Sequence, residues 1–418
     1  MEKAILVGIY NPAKEKRLDF ESLEELYLLA RSAGAIPVAK IIQKKEKISP
    51  DFFIGKGKVS EITDMAKGEK VDLIIFNENL SGSQIRNLET EINCRVIDRT
   101  QLILDIFAQR AKSKEGKLQV ELAQYSYLLP RLTGKGVLLS RLGGGIGTRG
   151  PGEAKLEMDR RIIRKKIHKI KKEIENLKRR RRIQRKRRRT GLNLTVSLVG
   201  YTSTGKTTLF NRITLEKGTI SPLFFTTLDP VLRRVNFSDG LYFWLSDTVG
   251  FIKKLPLELI EAFKATLEEV VESSLILHMV DLTNKDYLGQ MEAVEEITDE
   301  LGIPRERIIR VMNKIDLLEQ KEELLRRNSL NKQAVFISSK TGEGVDFLLK
   351  MIRETLFPNF LVHNLEIPKE RNDILRYIFV NGVVLNKYEN GDFMKIKCGI
   401  SKEALYPIKE FLQTEGVL

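Results

Sequence analysis

The 418-residue sequence predicts an α/β multidomain protein built around a doubly wound, mostly parallel sheet. Three observations predict this class. Short apolar stretches rich in β-branched residues alternate with helical patterns in residues 1–115 and again in residues 191–358, as in parallel sheets covered by helices. Between these regions, residues 116–190 carry two apolar stripes at helical spacing. Residues 359–418 combine helical patterns with a β-hairpin, which indicates a small C-terminal α+β domain.

The first predicted domain, residues 1–115, is a small α/β domain. We expect strands at residues 4–9, 36–42, 71–76 and 96–97, and helices at residues 20–33, 59–65, 81–92 and 99–109. Ser81 can cap the third helix. The Gly-Lys-Gly-Lys run at 55–58 could meet a phosphate, but a plain turn is the more frequent outcome for so short a motif.

Residues 116–190 predict an antiparallel helical hairpin. The first arm carries apolar residues at spacings of four, three and four, namely Leu118, Leu122, Tyr125 and Leu129. A similar stripe begins near residue 153, so the two helices should fold back on each other with the glycine-rich run 143–152 at the tip. A second phosphate loop is the weaker interpretation of this run, because no strand precedes it. A linker without fixed structure stays open.

The net charge of +15 is concentrated in one segment of the chain. Residues 178–189 hold ten Lys and Arg residues and no acidic residue. Such a block indicates a polyanionic partner, and nucleic acid is favoured over a membrane because no apolar face accompanies the charges. A solvated helix end is the alternative. The candidate RNA-binding residues are Arg149, Lys178, Arg179, Arg180, Arg181, Arg182, Arg185, Lys186, Arg187, Arg188 and Arg189.

The composition argues against several other classes of protein. No run of 18 apolar residues occurs, so we expect no membrane span, and the N-terminus lacks the cleavage pattern of a signal peptide. Only Cys94 and Cys398 are present, which favours a reducing compartment and argues against zinc or disulfides. The three His residues are scattered and indicate no metal site. We therefore expect a cytoplasmic protein, and a monomer.

The clearest motif is a phosphate loop, which stands between an apolar strand and a helix as G-x-x-x-x-G-K-[ST] requires. Gly200 and Gly205 let main-chain N–H groups face a phosphate, and the helix N-terminus adds partial positive charge. Lys206 can reach the outer phosphates, and the Thr207 hydroxyl can hold Mg²⁺. A chance match is the alternative. The candidate nucleotide-binding residues are Gly200, Tyr201, Thr202, Ser203, Thr204, Gly205, Lys206, Thr207 and Thr208.

Two further motifs predict the groups that sense the γ-phosphate. The first candidate contacts follow the phosphate loop and are Phe225, Thr226, Thr227, Leu228 and Asp229. The second set ends an apolar strand and comprises Asp247, Thr248, Val249 and Gly250. We expect Asp247 to hold Mg²⁺ through water and the Gly250 N–H to touch the γ-phosphate. The candidate Mg²⁺ ligands are thus Thr207, Thr227 and Asp247, and the candidate catalytic residues are Lys206, Thr227 and Gly250.

The last two motifs predict selection of guanine. The carboxylate of Asp316 can pair with guanine N1–H and N2–H₂, a donor pair that adenine lacks, and a main-chain N–H of the second motif can face guanine O6. The candidate base contacts are Asn313, Lys314, Ile315, Asp316, Ser338, Ser339 and Lys340. Five such motifs in order, each after an apolar strand, predict a P-loop GTPase domain that hydrolyses GTP with Mg²⁺.

These motifs resemble those of the translation-factor-like GTPases, and residues 99–111, 115–124, 143–153 and 200–202 resemble the HflX family more specifically. The resemblance implies a cytosolic GTPase that binds the large ribosomal subunit and its RNA. It implies that stalled or idle ribosomes are split into subunits, notably under heat stress, with the glycine-rich tip directed at the peptidyl-transferase centre. Some members are reported to hydrolyse ATP through the N-terminal region, and that question stays open here.

Three positions bear on the activity that the resemblance implies. Phe251 stands where many small GTPases place a water-orienting Gln, and the family also has a hydrophobic residue there, so we expect slow hydrolysis that ribosomes stimulate. Ser203 and Thr204 replace the family's Asn-Ala, which puts potassium binding in doubt. Ser339 replaces the usual Ala and is expected to matter little.

Two other functions remain compatible with the sequence. One is a ribosome-assembly GTPase that acts on immature large subunits without splitting ribosomes. The other is an RNA-binding regulator that senses GTP without significant turnover, although Lys206, Thr207, Thr227 and Asp247 argue against it.

Overall fold

The structure, a computed structural model, describes residues 2–10, 16–44, 48–132, 151–188, 194–215, 224–225, 231–248, 250–252, 269–319 and 334–411. Its contacts divide the chain into two compact units. The first comprises residues 1–177 with 221–229 and 254–264, and the second comprises the remainder. The bounds of the four domains expected from the sequence stay a prediction.

The first unit contains a four-stranded, fully parallel sheet in the order β2-β1-β3-β4. Its strands are β1 (Lys3–Tyr10), β2 (Ile36–Lys44), β3 (Leu73–Phe76) and β4 (Arg95–Asp98). Its helices are α1 (Lys16–Ser32), α2 (Lys56–Glu69), α3 (Gly82–Ile92) and α4 (Arg99–Arg110). The strand and helix order confirms the predicted α/β class, and Ser81 caps α3 by accepting a hydrogen bond from the Gln84 N–H.

The predicted helical hairpin consists of α5 (Lys114–Arg131) and α6 (Pro151–Arg188). The two helices run antiparallel, since Arg160 donates to the Leu132 carbonyl at 3.0 Å and Lys166 donates to the Tyr125 hydroxyl at 3.0 Å. On α6, Ile170 and Ile174 are buried. The 38 residues of α6 correspond to about 57 Å of helix at about 1.5 Å per residue. The expected glycine-rich tip, except its last two residues, lies outside the described residues.

The second unit contains a six-stranded sheet in the order β10-β9-β8-β5-β7-β6. Its strands are β5 (Thr195–Gly200), β6 (Val231–Asn236), β7 (Tyr242–Asp247), β8 (Leu275–Asp281), β9 (Ile308–Asn313) and β10 (Ala334–Phe336). All pairs are parallel except the edge strand β6 on β7. Helices α7 (Lys206–Thr214), α8 (Tyr287–Glu300) and α9 (Val345–Leu356) accompany the sheet, which confirms the mostly parallel prediction.

The C-terminal part of the second unit is an antiparallel sheet in the order β11-β13-β12. It is formed by β11 (Phe360–Pro368), β12 (Gly382–Asn390) and β13 (Phe393–Ser401), with α10 (Asn372–Asn381). The hairpin β12-β13 confirms the prediction. The single final helix expected at residues 401–412 is wrong, because the chain forms a short helix α11 (Lys402–Leu405) and then a 3₁₀ helix (Tyr406–Phe411). Pro407 explains the break, since proline supplies no N–H to an α-helix. None of the described helices is long and apolar enough to cross a bilayer.

Candidate guanine-nucleotide site

The phosphate loop lies at the carboxyl end of β5, where the chain turns into α7. Gly205 precedes α7 with φ of 93°, and a side chain there would collide with the Asn313 amide nitrogen. Glycine is therefore required at this position for both its dihedral angle and its lack of a Cβ atom. The Thr204 hydroxyl donates to the Tyr201 carbonyl at 2.9 Å, which closes the loop on itself.

Lys206 begins α7 and is 7% exposed. Its ammonium group donates to the carbonyls of Gly200 and Tyr201 at 3.0 and 2.6 Å. Burial lowers the pKa of Lys206 to about 8, and the nearby Asp247 carboxylate opposes this effect by raising it. The only positive charge that the motif supplies from a side chain is thus held inside the loop.

Two predicted Mg²⁺ ligands lie next to each other. The Thr207 hydroxyl donates to Oδ2 of Asp247 at 2.9 Å. Asp247 ends β7 and is 2% exposed, and the parallel register places it opposite Leu198 of β5. A hydroxyl and a carboxylate oxygen at this spacing match the oxygen ligands that Mg²⁺ prefers. The third predicted ligand, Thr227, lies outside the described residues.

Main-chain hydrogen bonds join the loop after β7 to the phosphate loop. The Thr202 N–H donates to the Phe251 carbonyl at 2.8 Å, and the Phe251 N–H donates to the Gly200 carbonyl at 3.0 Å. Phe251 is 4% exposed and packs in an apolar cluster with Val199 and Val270. Its ring is therefore buried away from solvent and offers no polar atom to water. Gly250 is buried beside it.

The predicted base-binding residues are brought together at the ends of β9 and β10. The Asn313 side chain donates to the Thr204 carbonyl at 2.7 Å and accepts from the Ser339 N–H at 2.9 Å and its hydroxyl at 3.0 Å. Lys314, with φ of 68°, donates to Asp281 Oδ2 at 2.6 Å. Asp316 is half-buried, and Lys340 is exposed. The two base motifs are thus joined to each other and to the phosphate loop.

Sequence reasoning missed two residues that support this site. Asp281 ends the apolar strand β8, and that strand-end position was a readable signal for the partner of Lys314. Arg212 on α7 binds two carbonyls of the second base motif, Ser339 and Lys340, and no local pattern indicates it.

The first γ-phosphate motif is described only at residues 224–225, which group with the first unit. The Phe224 N–H donates to the Ser32 hydroxyl at 2.9 Å, and the Phe225 ring meets Phe107 edge to face at 4.5 Å between centroids. The nucleotide contacts expected of Phe225 stay a prediction. The other expected contacts of the two γ-phosphate motifs that lie outside the described residues are Thr226, Thr227, Leu228, Asp229 and Val249.

The basic block is described in part. Lys178 is half-buried, and Arg179 and Arg180 are exposed on α6. The side chains of residues 181–188 and all of Arg149 and Arg189 lie outside the description. The basic surface also begins earlier than predicted, because α6 exposes Arg161, Arg164, Lys165, Lys166, Lys169, Lys171 and Lys172.

Family models match almost the whole chain. They are described as the N-terminal region of a GTP-binding GTPase (residues 20–108), its middle region (110–188), a 50S ribosome-binding GTPase (195–314) and an HflX C-terminal domain (323–401).

Similar proteins and a similar solved structure were also found. The GTPase HflX of Caldanaerobacter subterraneus is 44% identical over 99% of this chain and 93% of its own length. That of Escherichia coli is 43% identical over 88% and 86%. A GTP-binding protein from Sulfolobus solfataricus, solved with GDP, is 25% identical over 85% of this chain and 99% of its own, with a TM-score of 0.45. The family models and the two HflX relatives show that the chain belongs to the HflX family of GTP-hydrolysing enzymes.

Proposed function

We propose that this GTPase binds the large ribosomal subunit and, in its GTP form, splits stalled or idle ribosomes into subunits, especially under stress. The observation that carries the proposal is the long basic helix α6 in the same chain as the guanine-nucleotide site. The family model described as a 50S ribosome-binding GTPase supports this choice of partner. The site of action would then be the cytoplasm.

The RNA contact is argued from the two faces of α6. Its apolar face is used within the first unit, since Ile170 and Ile174 are 5% and 7% exposed. Its remaining surface carries exposed Lys and Arg side chains from Arg161 to Arg180. A stiff helix with closely spaced cations can contact the phosphates of folded RNA by charge, without reading the base sequence. We therefore assign α6 and the basic block to ribosomal RNA.

The nucleotide mechanism is argued from the paired residues at the phosphate loop. Thr207 and Asp247 would hold Mg²⁺, which supplies charge to the β- and γ-phosphates. Lys206 would turn from the loop carbonyls to the same phosphates, and Thr227 and the Gly250 N–H would bind the γ-phosphate. Asp316 would select guanine. Loss of the γ-phosphate releases the Thr227 and Gly250 contacts, which gives the protein two states.

The buried Phe251 supports slow hydrolysis in the free enzyme. A water molecule next to the γ-phosphate must be oriented by a polar group, and a phenyl ring packed on Val199 and Val270 supplies none. We infer that the ribosome supplies or orders that group. Potassium activation stays doubtful, because Ser203 offers no amide oxygen.

The test is GTP turnover with and without purified large subunits, with splitting of 70S ribosomes followed by light scattering in the same samples. The full chain is expected to show strong stimulation together with GTP-dependent splitting. Thr207→Ala should abolish both, because it removes a Mg²⁺ ligand. Thr214→Ala removes a hydroxyl of the same helix that donates to the Phe210 carbonyl; it is the matched control and should keep both.

Two other results of this test would favour a different function. Stimulation without splitting, together with tighter binding to immature particles, would favour an assembly GTPase. The absence of any stimulation by large subunits would contradict the ribosomal partner and leave the guanine site unaffected.

A further inference from the structure

Arg212 joins α7 to the loop that is expected to face guanine. Its Nε donates to the Ser339 carbonyl at 2.7 Å, and its Nη2 donates to the Lys340 carbonyl. Two consecutive carbonyls are thus bound by one planar guanidinium group, a geometry that lysine cannot reproduce. Arg212 lies on the helix that begins at Lys206, so the same helix presents the phosphate-binding lysine and holds the base loop.

The base loop is shaped to accept this guanidinium. Gly342 follows the two carbonyls with φ of 94°, and a Cβ atom there would lie 2.6 Å from Arg212 Nη1. A side chain at 342 would therefore displace the arginine. Glycine is required both for the left-handed conformation and for the space that Arg212 occupies.

The opposite side of the same loop is held by Asn313. The Ser339 N–H and hydroxyl both donate to Asn313 Oδ1, at 2.9 and 3.0 Å, and Asn313 and Ser339 are 2% and 3% exposed. The hydroxyl was expected to matter little as a replacement for the family's Ala, yet it adds a second donor to Asn313. Ser339 is therefore held from the inside by Asn313, through its N–H and hydroxyl, and from the outside by Arg212, through its carbonyl.

A hydrogen bond to a main-chain carbonyl also sets the direction of the N–H in the same peptide group. In a planar trans peptide the N–H points opposite to the C=O, so the bond from Arg212 to the Ser339 carbonyl orients the Lys340 N–H. The second bond orients the N–H of Thr341, which donates to the Ser338 hydroxyl at 3.1 Å. The Lys340 N–H is thus the oriented main-chain donor of the loop that is assigned to guanine O6. A loop held in its binding shape loses less conformational freedom when the base arrives.

We propose that Arg212 is a positioning residue of the guanine site, which sets nucleotide affinity by holding the Ser339-Lys340 peptide in place. Its hydrogen bonds within the described residues go to the base loop and not to the γ-phosphate motifs, so it affects GTP and GDP alike and leaves the chemical step unchanged. The proposal depends on the assignment of Asp316 and the 338–340 loop to guanine. It does not depend on the ribosome.

The test uses the full-length protein and the variants Arg212→Met, Arg212→Lys and Ser339→Ala. Fluorescence titration gives Kd for labelled GDP and for a non-hydrolysable GTP analogue, and steady-state turnover gives kcat and KM for GTP. Arg212→Met should raise both Kd values by about fivefold to tenfold and raise KM with kcat unchanged. Arg212→Lys should recover part of the loss, because one carbonyl can still be bound. Ser339→Ala should raise Kd by about twofold to threefold.

The control is Arg305→Met, which removes an exposed arginine of the same unit that pairs with Asp299. It should leave every constant unchanged. Unchanged Kd values in Arg212→Met, or a lower kcat at constant KM, would overturn the proposal.

Asp316→Ala distinguishes that failure from failure of the guanine assignment. If Asp316→Ala loses GDP while Arg212→Met binds it normally, only the role of Arg212 is rejected. If Asp316→Ala also binds GDP normally, the base-site assignment itself is wrong. A melting temperature close to that of the parent protein, for each variant without nucleotide, ensures that the constants report on the site.

Discussion

At the scale of single residues, the charge state of Lys206 connects protein stability with nucleotide binding. Burial holds its pKa near 8, whereas its ordinary value is 10.5. Between these two values the unfolded chain binds the proton and the free folded protein does not, so the stability of the free protein should rise with pH. Nucleotide phosphates favour the protonated amine of Lys206, so the affinity for nucleotide should fall as the pH rises.

We therefore predict that Kd for GDP is constant below about pH 7 and rises by up to about tenfold per pH unit above about pH 8. The reason is that binding must then return a proton to Lys206. Fluorescence titration from pH 6.5 to 9 measures the effect, and calorimetry in buffers of different ionisation enthalpy should detect proton uptake at pH 8.5. A Kd that stays constant across pH 7–9, with no proton uptake, would contradict the role assigned to this lysine.

His278 is the second residue whose protonation should be visible in solution. It lies on the central strand β8, 3% exposed, and burial first, then the charges of Arg310 and Lys206, lower its pKa to about 3. The unfolded chain takes up this proton near pH 6.5, so the free energy of unfolding should fall below that pH by up to about 1.4 kcal/mol per unit.

Urea unfolding of the parent protein and of His278→Gln between pH 7 and 4.5 tests this. As the pH falls, the free energy of unfolding of the variant should decrease less steeply, and the difference in slope should correspond to about one proton. His168→Gln, at an exposed position on α6, should follow the parent protein. Parallel stability curves for the parent and His278→Gln would show that the buried histidine does not control the acid response.

Much of the candidate site could be predicted at the residue scale because each motif is short and continuous in sequence. Gly205, Thr207 and Asp247 follow strands whose apolar residues mark where the sheet edge lies. Asp281 also ends an apolar strand and was open to the same argument, but Arg212 was not. The partners of Arg212 lie on another element, and a hydrogen bond between distant residues leaves no periodic or local signal in one sequence.

At the scale of elements, Asp98 connects the end of β4 to three other parts of the first unit. It is 0% exposed, and its carboxylate accepts from the N–H groups of Gln101 and Leu80 and pairs with Arg131 at 3.4 Å. It therefore caps α4, fixes the chain before α3 and holds the end of α5. The neighbouring Arg99 pairs with Glu25 and donates to Asn77. In the free protein, Asp98 and Arg99 thus serve to pack the elements of the first unit against each other.

We predict that Asp98→Ala destabilises the protein by about 3–5 kcal/mol, because it removes a helix cap and leaves a half-buried arginine without its carboxylate. Asp64→Ala, at an exposed position on α2, is the control and should cost less than about 1 kcal/mol. Urea unfolding followed by circular dichroism gives both values. A loss below about 1 kcal/mol for Asp98→Ala would mean that the packing of α4 and α5 is held by apolar contacts alone.

Elements with a strong apolar pattern were predicted correctly, whereas the edge strands β6 and β11 were missed. Strands β1, β3 and β5 are buried on both faces over most of their length, so their sequences are mainly apolar. Strand β6 is the antiparallel edge of its sheet, and four of its six residues are exposed, so its sequence resembles a loop. Strand β11 was missed for a similar reason, since polar and charged residues interrupt it.

At the scale of the whole molecule, the uneven charge distribution decides what a salt titration should reveal. The chain carries a net charge of +15, and residues 178–189 contribute ten positive side chains. If α6 and this block bind RNA phosphates, they release counterions, and the logarithm of the association constant falls linearly with the logarithm of the salt concentration. GDP binding at the guanine site depends on other residues, so its association constant should not show the same dependence on salt concentration.

We predict that replacing Arg179, Arg180, Arg181 and Arg182 by Gln weakens binding to the large subunit by about tenfold or more at 0.15 M salt and reduces the salt slope by about three to four. GDP affinity should stay unchanged, because these residues belong to α6 and not to the nucleotide motifs. Replacing four exposed lysines of the first unit that lie outside α6, Lys44, Lys56, Lys67 and Lys70, removes the same charge. If both quadruple variants lose the same affinity and slope, net charge alone drives binding; a loss confined to the arginine variant locates the RNA contact in the block at the end of α6.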